Sequence, residues 1–425
     1  MNRALLVRAA GLYLPLAATV ALWLWRKPDL RERAAVLLSA AWNLPALLLL
    51  HALALRFGWW RFEAEGGLFL GLPVDLYLGW ALLWGPAAVL AFPRLPLAGV
   101  LAIGALLDVV LMPASRPVLV LGNAWLLGEA VGLSLALLPA QLFARWTRQD
   151  RHLAARASLQ VALFCGLALG VAPAVILHQT GGSLLSFLKQ PAWLLGLGLQ
   201  LVAVAAIPGL SAVQEFCARG FGTPLPYDPP RRLVTSGVYA YVANPMQLSM
   251  SLVLLFVGLL LESVWIAAAG LVSFAYGAGL AAWHEDDEIA RRFGAAWMEY
   301  RRHVRCWLPR WRPWSPSPAR LFVAESCGPC SEVGTWLRRR RPLGLEILAA
   351  EDHPARDLAR MTYETADGKS EQGVAAFARA LEHIHLGWAL VGWTTRLPLL
   401  RPVIQLVLDA CGAGPRAIGR RAEAK

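Results

Sequence analysis

The sequence predicts a mainly α-helical protein that crosses a membrane about nine times and ends in a small α/β domain. Hydrophobic residues make up 57% of the chain and charged residues only 16%, whereas a soluble domain has about 25% charged residues. Apolar runs of near-membrane length recur through most of the chain, which is typical of a polytopic membrane protein. After residue 314 the composition becomes that of a soluble domain.

The predicted membrane spans are apolar stretches of near-membrane length. They lie near residues 5–25, 36–54, 68–92, 96–113, 118–140, 157–178, 191–213, 246–261 and 263–283. Two of the intervening loops are strongly basic, with Arg26, Lys27, Arg31 and Arg33 after the first span and Arg145, Arg148, Arg151 and Arg156 after the fifth. Because such loops stay on the cytoplasmic side, we expect an inner or plasma membrane protein with a cytoplasmic C-terminal domain. Basic loops and contact with anionic lipid also explain the net charge of +12 better than nucleic-acid binding does.

Residues 1–190 form an N-terminal membrane domain for which the sequence indicates no role. Several polar residues nevertheless lie within or near its predicted spans: Asn43, His51, Asp75, Asp108, Asn123, Glu129 and His178. An ionisable group inside a span can mark a functional site. Interhelical hydrogen bonds and interfacial positions explain such residues as well, and we prefer that interpretation.

Residues 191–314 form a second membrane domain around a long polar loop that is rich in proline and aromatic residues, between positions 220 and 245. Long loops of this kind are usually functional or disordered, and this composition does not favour disorder. The helix that leads into the loop carries Gly196 and Gly198. Their missing side chains favour close helix packing or, alternatively, let a cofactor approach the backbone.

Polar groups gather where the last two spans meet the cytoplasm. Asn244 and Pro245 begin the eighth span, where an Asn N-cap and a proline in the first turn are favoured. A helix N-terminus also offers its N–H groups to an anion. Glu285 and Asp286 follow the ninth span directly. They either begin a solvated helix near the positive end of its dipole or bind a cationic ligand.

The stretch Gly237-Val-Tyr-Ala-Tyr-Val-Ala-Asn244-Pro245-Met246, a helical hairpin, and then Glu285-Asp286, Ile289, Phe293-Gly294, Trp297 and Tyr300 resemble the integral-membrane methyltransferases. That family includes isoprenylcysteine carboxyl methyltransferase and phosphatidylethanolamine N-methyltransferase. The resemblance implies S-adenosyl-L-methionine as the cofactor. It implies cofactor contacts from Gly196, Gly198, Tyr239, Tyr241, Asn244, Pro245, Met246, Gln247, Glu285 and Asp286. Two positions depart from the family pattern, because Asp286 replaces a Glu and Gln247 replaces a Tyr.

The resemblance also implies a lipophilic methyl acceptor, either a membrane lipid or a lipid-linked substrate. A carboxylate acceptor needs no general base, and an amine acceptor would have to arrive neutral, because the sequence shows no clear base. We therefore expect catalysis by alignment of the reactants and by exclusion of water from a cationic donor. The helix that carries Trp297 and Tyr300 is expected to lie at the interface or to close the cofactor pocket as a lid.

The C-terminal third is predicted to be a separate α/β domain. Residues 315–320 have the composition of a Pro/Ser linker, and residues 321–425 begin with a strand–helix–strand pattern. Cys327 and Cys330 follow the first strand and begin the helix, which is the context of a redox Cys-x-x-Cys motif. A helix N-terminus makes a cysteine more acidic and therefore more nucleophilic. Half of a metal site and two buried structural cysteines are the alternatives, and we predict no metal.

This Cys motif and the turn at Asp367-Gly368 resemble the thiol-disulfide oxidoreductases of the DCC type, a thioredoxin-like family. The resemblance implies a thioredoxin-like fold and a thiol redox partner. It also implies that Cys327 is the attacking thiol and Cys330 the resolving one. Ala324 departs from the family, which has an Asp three residues before the first Cys.

Two other functions fit parts of this sequence. Sterol-reductase-type membrane enzymes share a related C-terminal hairpin, so the chain could be an NADPH-dependent membrane reductase. Alternatively, the membrane part only anchors a thiol-disulfide oxidoreductase. The acidic pair at 285–286 and the Asn-Pro-Met sequence at 244–246 favour a methyltransferase over both.

Overall fold

The computed structural model describes residues 3–225, 228–281, 289–354 and 358–416, and most of them are helical. The chain divides into two compact units. The first unit contains Met1–Lys189 and Thr223–Pro229, and the second contains Gln190–Gly222 and Pro230–Lys425.

Long apolar helices make up most of the first unit. They are α1 (Arg3–Arg26), α2 (Leu30–Phe57), α3 (Val74–Ala91), α4 (Leu97–Ala114), α5 (Trp125–Gln149) and α6 (Leu153–Thr180). Helix α2 shows how the sequence sets a boundary. The Asp29 carboxylate accepts a hydrogen bond from the Glu32 N–H at 2.8 Å, and Gly58 ends the helix with a φ of 67°, a conformation that favours glycine.

Two short strand pairs interrupt these helices. Strand β1 (Trp60–Phe62) pairs antiparallel with β4 (Leu119–Leu121), and β2 (Leu68–Phe69) pairs with β3 (Leu72–Pro73). The spans predicted at 68–92 and 118–140 therefore begin several residues too early. The first difference follows from Gly67 and Gly71, which adopt positive φ and turn the chain into a hairpin before α3.

The apolar helices of the second unit are α7 (Ala192–Gly220), α8 (Pro245–Leu260) and α9 (Val264–Tyr276). The Ser249 hydroxyl on α8 donates a hydrogen bond to the Ala205 carbonyl on α7. Helices α8 and α9 approach so closely that a Cβ atom added to Gly258 would lie 2.2 Å from the backbone nitrogen of Ala267. Only a glycine fits at this crossing.

Among the described residues, the seven helices α1 to α7 are long and apolar enough to cross a membrane. Helices α8 and α9 are apolar but shorter. The predicted class, a polytopic helical membrane protein, agrees with these helices. The predicted total of about nine spans is reached when the two shorter helices, α8 and α9, are counted together with the seven longer ones.

The second unit continues into a four-stranded sheet with helices around it. After α10 (Ala295–His303) come β5 (Ala319–Val323), α11 (Gly328–Arg339), β6 (Leu345–Ala349), β7 (Thr362–Glu364), β8 (Ser370–Gln372), α12 (Val374–Leu381), α13 (Leu386–Thr395) and α14 (Leu400–Leu408). The strand order is β6-β5-β7-β8. Strand β5 runs parallel to β6 and antiparallel to β7, and β7 runs antiparallel to β8. The linker predicted at 315–320 overlaps β5 and lies inside the second compact unit.

Candidate functional site

Several of the predicted cofactor residues form the start of α8. Pro245 is its first residue and Asn244 its N-cap, but the Asn244 side chain makes no capping hydrogen bond to the helix. The backbone before the helix is held instead by the segment around 305–306. The Ala243 N–H donates to the Arg305 carbonyl at 2.9 Å, and the Asn244 N–H donates to the Cys306 carbonyl at 3.1 Å.

The end of α9 lies beside this first turn of α8. A Cβ atom added to Gly277 would lie 2.9 Å from the Trp307 ring and 3.8 Å from Oε1 of Gln247. The Trp307 ring packs edge-on against Phe274 on α9, with ring centroids 5.2 Å apart. Gln247, Gly277 and Trp307 therefore meet at one place, next to the predicted helix N-terminal site.

The chain after residue 288 returns to the same place. Ile289 and Phe293 pack against a buried cluster formed by Ala243, Trp297, Tyr300 and Val304. The Tyr300 hydroxyl donates a hydrogen bond to the Tyr239 carbonyl at 2.8 Å. Helix α10 is thus fixed by two buried aromatic side chains, and its role as a lid stays a prediction.

The predicted carboxylates Glu285 and Asp286 lie in residues 282–288, outside the described part of the chain. The segments on both sides of them are described. Gly277 lies next to Gln247, and Ile289 packs against the cluster that contains Ala243. Both flanks of the acidic segment therefore converge on the start of α8.

The two predicted tyrosines are engaged in packing. Tyr239 is buried, and its ring lies 6.1 Å from that of Phe216 on α7. The Tyr241 hydroxyl donates to the Glu382 carbonyl at 2.7 Å, and its ring packs edge-on against Trp393 at 5.5 Å. Burial raises the pKa of both phenols well above the ordinary value, so both stay neutral. Their side chains bind protein partners, and a cofactor contact from them stays a prediction.

The structure does not bring Gly196 and Gly198 to this place. A Cβ atom added to Gly198 would meet the side chain of Leu260, at the last residue of α8. Sixteen residues separate Asn244 from Leu260 along α8, or about 24 Å at a rise of about 1.5 Å per residue. A Cβ added to Gly196 would meet nothing within 4 Å. Gly198 thus serves helix packing, the first of the two alternatives for this pair.

A comparison with protein families indicates the class of this domain. Residues 192–296 match the family model described as phospholipid methyltransferase. The match begins two residues after the start of the second compact unit and covers α7, α8, α9 and the acidic segment. No curated protein and no solved structure matches the chain. The family domain indicates a membrane methyltransferase and favours that function over a sterol-type reductase.

A buried ion cluster joins α7, inside the matched residues, to the C-terminal region, and sequence analysis did not find it. Glu215, near the end of α7, is 1% exposed, forms an ion pair with Arg379 at 2.6 Å and accepts a hydrogen bond from Arg396 at 3.0 Å. Arg379 also contacts Glu371 at 2.8 Å and Glu382 at 3.1 Å. Burial opposes the charge of Arg379, but these carboxylates raise its pKa well above the ordinary value. One sequence feature points to the cluster, since Glu215 is an isolated acid on an apolar helix.

The cluster also shapes the polar loop. The Ser236 hydroxyl donates to Glu215 at 2.9 Å. Gly237, the first residue of the family-like stretch, has a φ of 62°, and a Cβ atom there would lie 2.6 Å from Cγ of Glu215. Position 237 therefore requires glycine both for its backbone conformation and for the space that Glu215 occupies.

Cys327 and Cys330 lie together at the start of α11, outside the matched residues. Cys327 is the N-cap of this helix, and the two sulfur atoms are 2.7 Å apart. The hydrogen bond from Cys330 lowers the pKa of Cys327. Burial raises the pKa of Cys330 to about 11. The two thiols therefore have different pKa values, and Cys327 is the more acidic of the two.

Glu351, which sequence analysis also missed, holds the loop before Cys327. Its carboxylate accepts from the Ser326 N–H at 2.9 Å, the Ser326 hydroxyl at 2.7 Å and the Glu325 N–H at 3.2 Å. Burial alone would raise the pKa of this carboxyl, but the hydrogen bonds outweigh it and hold the pKa at about 2. Within the described residues, no group of three or more potential ligands forms a metal site.

Proposed function

We propose that the protein is an S-adenosylmethionine-dependent methyltransferase that acts on a lipophilic acceptor at the cytoplasmic membrane face. One observation carries the proposal. Both flanks of the segment that contains Glu285 and Asp286 converge on the first turn of α8. This convergence lies in or next to the matched family domain.

The residue types at this place fit the cofactor. S-adenosylmethionine supplies, when bound, an electrophilic methyl group on a sulfonium cation. Glu285 and Asp286 would bind its ammonium group and ribose hydroxyls. The first turn of α8, which Asn244 does not cap through its side chain, would offer N–H groups to its carboxylate. Pro245 and Met246 form that turn, and Gln247 would add a polar contact where the family has an aromatic one.

The protein's own contribution would be alignment and the exclusion of water. Trp307, Phe274 and Trp297 form apolar surfaces around the start of α8, and such surfaces favour a desolvated site. A carboxylate acceptor would need no proton transfer, and an amine would have to arrive neutral. Holding donor and acceptor in line would then supply most of the rate acceleration.

Cofactor binding tests the proposal directly. The full-length protein in maltoside micelles is titrated with S-adenosylmethionine by calorimetry. We expect saturable binding, and at least about tenfold weaker binding by Glu285→Gln and by Asp286→Asn, because a hydrogen bond to a charged group contributes about 1.5–3 kcal/mol. Glu262→Gln is the matched control, because Glu262 lies just beyond the opposite end of α8. Absence of binding by the wild type, or equal affinities throughout, would refute the proposed site.

Methyl transfer identifies the acceptor class. The protein is incubated with methyl-labelled cofactor and vesicles that contain either phosphatidylethanolamine or a prenylated cysteine with a free carboxylate. Label in the first lipid indicates an amine acceptor, and label in the second indicates a carboxylate. Cofactor binding without label in either lipid would limit the conclusion to a cofactor site and would reject both acceptor classes.

A second activity, thiol-disulfide exchange, is supported by the Cys pair. The strand order β6-β5-β7-β8 with α11 between two parallel strands is compatible with the thioredoxin-like fold that the resemblance implies. The lowered pKa of Cys327 suits an attacking thiolate. It would attack one sulfur of a substrate disulfide and release the other as a thiolate. Cys330 would then attack Cys327, so that the pair is oxidised as the substrate is reduced.

Turnover with a small disulfide substrate tests this activity. The reduced protein is mixed with dithiobis-nitrobenzoate, and release of the coloured thiolate is followed over time. We expect the burst, the fast phase of thiolate release, to be lost in Cys327→Ser, while slower release from other free thiols such as the exposed Cys411 continues. The mixed disulfide should persist in Cys330→Ser. A burst that survives in Cys327→Ser and is lost in a variant of the exposed Cys411 would refute the assignment.

A further inference from the structure

A cavity in the first compact unit has no role in either proposed activity. It has a volume of about 60 Å³ and lies among α2, α3, α4, α5 and β1. That is room for roughly four waters or a compact head group. Five aromatic side chains form much of its wall: Trp60, Phe62, Tyr77, Trp80 and Trp84.

Acidic groups accompany this aromatic wall. Glu129 lines the cavity and is 7% exposed, and Asp108 lies next to it and is fully buried. Trp80 donates a hydrogen bond from Nε1 to Oδ1 of Asp108 at 3.3 Å. The other oxygens, Oε2 of Glu129 and Oδ2 of Asp108, have no hydrogen-bond partner within the described residues.

His51 adds another acceptor to the same wall. Its Nε2 lies 3.0 Å from the Leu70 carbonyl. In this contact Nε2 carries the proton, because a carbonyl can only accept, and Nδ1 of the neutral ring is then an acceptor. Nδ1 also has no partner within the described residues. Within the described residues, these three acceptor atoms therefore have no hydrogen-bond donor, and Nε1 of Trp84 on the same wall is a donor that has no acceptor.

No lysine or arginine is among the described residues that line the cavity. Two adjacent acids buried in apolar surroundings are costly unless a proton or a cation compensates them. A proton shared between the two carboxyl groups would still leave one negative charge. Aromatic faces attract cations, and cages of several aromatic rings bind quaternary ammonium groups.

We propose that this cavity binds the alkylammonium head group of a lipophilic ligand, with Glu129 as its counter-ion and the aromatic side chains as its walls. The chemistry of the wall selects this class. A neutral apolar ligand would leave the acceptors of Glu129, Asp108 and His51 without donors, and an anion would be repelled. The membrane setting supplies the alkyl chain, because α2 to α5 are membrane helices. The site lies in the first unit and does not depend on the proposed methyltransferase activity.

Binding of a simple probe tests the proposal. The full-length protein in maltoside micelles is titrated below the probe's micellar concentration with octylammonium, whose three N–H groups can donate to these acceptors, and in parallel with octanol, a neutral molecule of the same chain length. Calorimetry and tryptophan fluorescence report binding. We expect saturable binding of one ammonium probe per chain, quenched tryptophan fluorescence, and no saturable binding of octanol.

Substitutions locate the site. Glu129→Gln keeps the shape of the side chain and should weaken ammonium binding at least about tenfold. Glu63→Gln is the control, because Glu63 belongs to the same unit but is exposed. Should Glu129→Gln fail to fold, as judged by circular dichroism, Trp84→Phe is measured instead, with an expected loss of about threefold. The proposal would be overturned if the wild type and the substituted protein bound the ammonium probe with equal affinity, or if octanol bound as well as the ammonium probe. A proton shared between Glu129 and Asp108 would then be the compensating charge in place of a ligand.

Discussion

The buried ion cluster should make the second unit unusually sensitive to the loss of one charge. Arg379→Met removes a guanidinium group that is 2% exposed and contacts Glu215, Glu371 and Glu382 at 2.6, 2.8 and 3.1 Å. The methionine side chain fills a similar volume but leaves these buried carboxylates with Arg396 as their main remaining partner. Deleting one partner of a buried ion pair costs about 3–5 kcal/mol.

The size of the effect can be measured as a shift in melting temperature. For a unit of this length, 1 kcal/mol corresponds to about 2–4 °C, so we expect Arg379→Met to lower the melting temperature of the full-length protein by about 6–20 °C. Tryptophan fluorescence in maltoside micelles follows the transition, because Trp393 lies in the adjoining core. The control is Arg320→Met, since Arg320 is exposed and lies 3.7 Å from the exposed Glu346. A surface pair contributes about 0–1 kcal/mol, so the control should change little.

A double substitution separates the charge effect from a packing effect. Glu215→Gln together with Arg379→Met removes both members of the shortest pair. If unpaired charge is the cause, the double variant should be more stable than the sum of the two single changes predicts. Equal melting of Arg379→Met and Arg320→Met would refute the reasoning, as would strict additivity in the double variant.

Three further predictions concern single residues of the second unit. The alkylation rate of Cys327 with iodoacetamide should rise with pH at a midpoint below 9, and Cys330→Ala should move that midpoint upward, because it removes the hydrogen bond that lowers the pKa of Cys327. His383 is buried and neutral, with a pKa lowered by burial to about 4. The unfolded chain therefore binds the proton first, and stability should fall as the pH drops from about 6.5 towards 4; His383→Gln should flatten this part of a melting-temperature profile. Gly258→Ala should strongly reduce the yield of folded protein, because the new methyl group would meet the backbone of α9, whereas Gly196→Ala should leave yield and melting temperature unchanged.

The features that sequence analysis predicted are those that local patterns determine. Helix lengths and apolar composition gave most of the membrane helices, because each span is defined by its own residues. The starts of α8 and α11 follow from a local rule in the same way, because each helix has a proline in its first turn. The errors lie where several glycines turn the chain, as before α3.

The features that it missed depend on contacts between residues far apart in the sequence. Glu215 meets Arg379 across more than 160 positions, and neither side chain indicates the other. The partner of the Tyr241 hydroxyl is also far away in the sequence, so the sequence does not indicate it. The place of Tyr241 in the family-like stretch does not indicate that its hydroxyl binds the Glu382 carbonyl, and a cofactor contact from this side chain stays a prediction. Gly198 was assigned to the cofactor by type, but the antiparallel packing of α7 on α8 puts it at the far end of the helix pair.

The C-terminal region lies in the same compact unit as the matched family domain, and its division into a domain of its own stays a prediction. Without this region, the buried carboxylate of Glu215 would lose both of its arginines, and Tyr241 would lose its acceptor and its aromatic neighbour Trp393. A buried charge and a buried hydroxyl without partners are costly. Both groups adjoin the loop that leads into α8, which is where the proposed cofactor site begins. The geometry of that site thus depends on residues outside the matched family domain.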